Sequence, residues 1–166
     1  MSARATRARR FPLPSDAYPR PPLDGLEARF AEGSLAPLPS GLVVGRFLGF
    51  VASRGAERPI VRALDTLCFR AVRWGLDLDR QRWWFEHPRL AAGHFRIEEG
   101  LSRWRPTRVL RLHYDASRLP IRGVLYDELK PLPDGSILGL GGVNRERGEG
   151  DHFFFDLAPL PVRRDA

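Results

Sequence analysis

The chain has 166 residues, the length of one ordinary domain, with ten Phe and four Trp to fill a core. One cysteine, Cys68, excludes an internal disulfide framework and a multi-cysteine zinc site, and no apolar run of about 18 residues offers a membrane-crossing helix. The formal net charge of +7 is concentrated rather than spread: Arg4, Arg7, Arg9 and Arg10 supply four of those charges, which argues against a specific nucleic-acid surface on the folded part.

Residues 1–22 carry Pro12, Pro14, Pro19, Pro21 and Pro22 among arginines and read as a disordered basic tail. Phe11-Pro12-Leu13-Pro14 stands where a signal peptide needs an unbroken apolar stretch, so the default location is the cytoplasm. The tail could touch an acidic partner, and an interaction module built on it is one functional class to carry forward.

The domain is expected over 23–160, followed by a short tail at 161–166. Asp24 and Glu27 form a capping-box pattern, Leu23, Leu26 and Phe30 share a helical face, and Gly33 stops this short helix. Gly41 to Phe50 reads as a strand, with Leu42, Val44, Leu48 and Phe50 on one side. Its glycines at 41, 45 and 49 suggest a sharp bend or close backbone approach. A longer helix is predicted from Pro59 to Trp74, with proline at its first position and Gly75 just past its end. Its stripe contains Cys68, which reads as a buried, inert thiol.

Short strands and turns follow. Strands are predicted near 82–86, 93–99, 107–115, 122–130, 136–143 and 152–158, with Pro133-Asp134-Gly135 a turn whose proline presets φ. The resulting fold class is mainly β: a single antiparallel barrel with a short N-terminal helix and one longer helix packed on it or capping it.

The stretch Tyr126-Asp127-Glu128 holds the clearest candidate chemistry. At period two, Tyr126 and Glu128 share one face and Asp127 the other, so whichever face is interior receives a carboxylate. A buried carboxylate must be paired or shifted upward, and Arg96, Arg108, Arg111 and Arg122 are the expected partners. His113 and Asp115 share a face, but no serine or cysteine completes a triad. His87, His94, His113 and His152 lack metal-ligand spacing, so no metal is expected. No cofactor is expected either, and a haem on His152 is disfavoured because an isolated histidine is weak evidence. Trp83, Trp84 and Phe85 suit a stacking platform or, more commonly, a core anchor.

Tyr114-Asp115, Pro120-Ile121-Arg122, Asp127-Glu128-Leu129-Lys130, Pro133-Asp134-Gly135 and Ile137-Leu138-Gly139 together resemble a family of bacterial lipocalin-like barrels without an assigned activity. Gly41 to Gly45 sits where related barrels carry Gly-x-Trp-x-Gly, with Val43 in place of the tryptophan. The closing Phe153-Phe154-Phe155-Asp156-Leu157 is also similar. The resemblance spans roughly residues 41–158 and implies a calycin-type barrel with an interior cavity, but brings no reaction with it.

Two functional expectations follow. The first is a binding protein for a small hydrophobic molecule, with Tyr114, Arg122, Tyr126 and Glu128 as polar contacts and Trp83, Trp84, Phe95 and Phe155 as apolar lining. The second is an enzyme (an isomerase, cyclase or hydrolase) using Asp127 or Glu128 as general base, aided by His113 or Tyr126. An enzyme should show a carboxyl titrating near neutrality, whereas a carrier should lock it to arginine.

Overall fold

The computed structural model describes residues 23–51, 72–114, 125–143 and 152–160. They form one helix, α1 (Leu23–Glu32), and nine strands. The first strands are β1 (Leu42–Val51), β2 (Trp74–Asp77), β3 (Arg82–Phe85) and β4 (His87–His94). After them come β5 (Arg96–Leu101), β6 (Arg108–His113), β7 (Leu125–Pro131), β8 (Ile137–Val143) and β9 (His152–Pro159). All paired strands are antiparallel, in the order β4-β3-β2-β1-β9-β8-β7-β6-β5. The first strand therefore pairs with the last. The sheet curls into a nearly closed barrel whose seam lies between β4 and β5, consecutive strands joined through Phe95 alone.

Alternation along each strand divides the side chains into two layers. Val43, Phe47, Leu76, Leu112, Leu129 and Ile137 belong to the interior cluster, together with a set of aromatic rings. Trp74 packs against Trp83 at 5.3 Å and against Phe155 at 5.5 Å between ring centroids. Rings of this size need vacant positions opposite them. Gly45 faces Trp74 and Gly139 faces Phe155, and a Cβ at either position would collide with the ring.

The second layer lies outside the sheet. Leu26 and Phe30 of α1 are almost wholly buried against Leu48, Leu138, Leu140 and Phe154, with Phe30 edge-on to Phe154 at 5.7 Å. Burying two such side chains contributes about 1.5–3 kcal/mol each. Because α1 covers that side, β8 is apolar on both faces, as strands covered twice must be. The helix ends as predicted at Gly33, whose N–H donates to the Arg29 carbonyl at 3.1 Å.

The predicted face of β1 changes. Val44 and Leu48 do share a side, but it is the outer one. Val43 and Phe47 fill the interior, and a bulge between Phe47 and Gly49 shifts the register against β9. The longer helix predicted over 59–74 falls mainly on residues 52–71, outside the described residues, as does Cys68. Its supposed last residue and stop signal, Trp74 and Gly75, instead form β2. The reason is packing: Trp74 is held by Trp83 and Phe155, and Gly75 leaves room for the Trp84 indole to lie across its backbone. The predicted strand at 93–99 is two strands, divided where buried Phe95 turns inward and its N–H donates to the Gln81 carbonyl at 2.9 Å.

The two seam strands are well exposed. Arg96, Glu98 and Glu99 on β5 and Pro88 on β4 oppose pairing with another chain, although Leu90 and Leu101 stand out from them.

Candidate functional site

Two neighbouring carboxylates on β7 enter different layers. Asp127 points into the barrel, where β6 delivers Tyr114 and β3 delivers Trp83. The Trp83 indole N–H donates to the Tyr114 hydroxyl at 3.2 Å, and that hydroxyl donates to Asp127 Oδ2 at 2.5 Å. The chain of donors links the two sides of the sheet across the interior. Gly141 opposite Asp127 has no side chain, and the carboxylate and the Phe153 ring occupy that space. Burial pushes the Asp127 carboxyl up to about 7, the Tyr114 hydroxyl pulls against this, and the adjacent Glu128 charge adds to the rise. Burial, together with Asp127, also holds the Tyr114 phenol well above its ordinary value, so this hydroxyl stays a donor.

Glu128 points outward and is nevertheless inaccessible, because residues 102–106 fold over it. It accepts hydrogen bonds from the Ser102 hydroxyl at 2.5 Å, from the Arg103 backbone N–H at 2.7 Å and from the Tyr126 hydroxyl. Ser102 Oγ also accepts from the backbone N–H groups of Trp104 (3.0 Å) and Arg105 (2.9 Å), which shapes the cover. Arg105 ties the cover to α1 through Glu27, at 2.7 Å from Nε. Trp104 stands edge-on to Tyr126 at 4.6 Å. Burial raises the Glu128 carboxyl, and the three donors and Arg111 counter it.

The expected arginine partners go elsewhere. Arg96 and Arg111 reach Glu98, and Arg108 reaches Glu99. Other carboxylates do receive arginine: Asp77 binds Arg80 and Arg82, and Asp156 binds Arg46. Asp127, the most interior carboxylate described, is held by a phenol.

Of the sequence-derived site residues, Tyr114, Trp83, Phe95 and Phe155 do meet in the interior, but as packing, with Phe95 edge-on to Tyr114 at 6.3 Å. Tyr126, Glu128 and Trp84 lie on the outer side. His113 also faces outward, with Nε2 at 3.2 Å from Glu98, and so does not meet Asp127. Arg122 and the tail at 1–22 lie outside the described residues, as does the side chain of His152. Among the described residues no cluster of three or more His, Cys, Asp or Glu could hold a metal ion. No helix among them is long and apolar enough to cross a membrane.

Open space lies elsewhere. A groove of about 810 Å³ runs between residues 31–38, which follow α1, and strands β5 and β6. Leu35, Ala36, Leu38, Ile97 and Leu110 give it apolar walls; Thr107 and Lys130 add polar groups. Residues 33–38 are placed by the Ala36 N–H, which donates to the Pro131 carbonyl at 2.9 Å, and by Gly33, which fits against the Leu132 side chain. At the groove, the Glu99 carboxylate is held by Arg108 at 2.9 and 2.7 Å. Sequence reasoning missed this groove because its walls come from a loop with no period and from two strands far along the chain. Lys130 as the single lysine was its one visible sign.

Compared with protein-family models, with curated proteins and with solved structures, the chain matches none.

Proposed function

We propose that the protein is a ligand-binding barrel that holds a small, largely apolar molecule, with the site in the groove between residues 31–38 and strands β5–β6. The observation that carries this reading is the groove itself. Its volume of about 810 Å³ falls in the range of small-molecule sites, and its walls are apolar with few polar groups. The resemblance to lipocalin-like barrels adds a scaffold that suits such a role. The site is not the interior cavity expected from sequence, because large rings occupy that volume.

Titration with an environment-sensitive apolar fluorophore tests this. Saturable binding at one site is expected, weakened at least about tenfold by Leu35→Asp with the fold unchanged. Absence of saturable binding, or binding indifferent to Leu35→Asp, overturns it.

One observation favours a second reading, an enzyme. Asp127 is not locked to arginine and its carboxyl lies near neutrality, the property expected of a general base. Asp127 does not line the groove, however, and rings surround it. Turnover of any small substrate that vanishes in Asp127→Asn would establish this reading over the first.

A further inference from the structure

Lys130 is the single lysine of the chain, and it is 1% exposed. It leaves β7 near the strand's end, and its ammonium donates to the Thr107 hydroxyl, the only hydrogen-bond partner found for it among the described residues. An ammonium has three donors and no acceptor, so two remain. No carboxylate among the described residues lies within ion-pair distance of it. The other buried ionisable side chains are each compensated. Asp77 has two arginines, Glu128 has three donors, and Asp127 has Tyr114. An ammonium buried without a counter-charge costs several kcal/mol, and a lone buried cation facing open space is a site waiting for an anion. Burial alone pushes its pKa down, consistent with a charge that lacks a partner.

Lys130 and Thr107 line the same groove as Leu35, Leu38, Ile97 and Leu110. Among the acidic residues there, Glu99 is already held by Arg108, leaving Glu32 at the α1 end. Resting on the reading of this groove as a ligand site, we propose that its ligand is an amphiphile with a carboxylate head, seated on Lys130 and Thr107, and an aliphatic body along Ile97 and Leu110. One ammonium and one hydroxyl match the two oxygens of a single negative charge. A phosphate dianion would find too few donors.

The test compares a twelve-carbon carboxylic acid with the alcohol of equal length, binding the full-length protein at neutral pH. The acid should bind at least about tenfold more tightly, as a charge-assisted contact to a desolvated ammonium requires. Lys130→Met should abolish that preference while leaving the alcohol's affinity unchanged, and Thr107→Val should reduce it partially. Equal affinity for acid and alcohol in the unmodified protein, which needs no variant, overturns the carboxylate assignment and leaves the groove reading standing. So does a preference that survives in folded Lys130→Met. Saturable binding of neither probe overturns both.

Discussion

Asp127 and Glu128 are adjacent on one strand and meet opposite fates. Asp127 enters a space walled by rings and receives one hydroxyl donor; Glu128 enters a pocket of polar groups and receives three. Neither is accessible, and burial lifts both carboxyls. The difference lies in how completely each is solvated by the protein. Glu128 is a structural tie that fastens the 102–106 cover to the sheet, whereas Asp127 is under-solvated and free to change its protonation state near neutral pH. Burial alone does not make a residue reactive; incomplete compensation does.

The contrast is broken most severely through pH. The Asp127 carboxyl lies near 7 instead of its ordinary 3.8, so the folded protein retains a proton that the unfolded chain has released. Its stabilising contribution is therefore full below about pH 4 and is lost as pH rises through about 7, a decline of roughly 4 kcal/mol. Urea denaturation across that window should show the decline in the unmodified protein and a nearly flat profile in Asp127→Asn. An unchanged slope would mean that Asp127 is solvated far better than its surroundings indicate.

Glu128→Ala comes next. It strands the Ser102 and Tyr126 hydroxyls and the Arg103 N–H, and should cost about 3 kcal/mol, read from the midpoint of urea unfolding. Hydrogen exchange should also quicken over residues 102–106. Tyr114→Phe removes Asp127's donor and Trp83's acceptor together. It should destabilise by about 2 kcal/mol at pH 8, where the carboxylate is ionised, and by less at pH 5. Equal losses at the two pH values would contradict the pairing. Ser102→Ala, which leaves Glu128 two of its donors, should cost only about 1 kcal/mol by the same measurement.

Much of this was legible in the sequence where period and turn chemistry agree. The α1 face of Leu26 and Phe30, the Pro133-Asp134-Gly135 turn and the inward set Leu110, Leu112 and Tyr114 all follow from local rules. Local rules failed where tertiary packing decides. Trp74-Gly75 looks like a helix end because glycine after an amphipathic run usually is one; only the Trp83 and Trp84 rings, opposite in space, make it a strand. On β7 the period correctly split Asp127 from Glu128. It could not tell that a five-residue cover would make the outer face as inaccessible as the inner one. The arginine partners were misassigned because charge counting ignores that Glu98 and Glu99 on the neighbouring strand are nearer. Lys130 carried its signal in plain view as the single lysine, but only burial turns rarity into meaning.

The seam between β4 and β5 has one more consequence. Because β1 pairs with β9, the barrel is two consecutive meanders, residues 42–94 and 96–159, docked along a single ladder. The backbone at Phe95 joins them without ladder hydrogen bonds across the seam among the described residues. Severing the chain there would sacrifice connectivity and loop-closure entropy while leaving every strand pairing in place. The molecule is thus organised as a split protein: two separately expressed fragments should find each other through the first and last strands and rebuild the barrel.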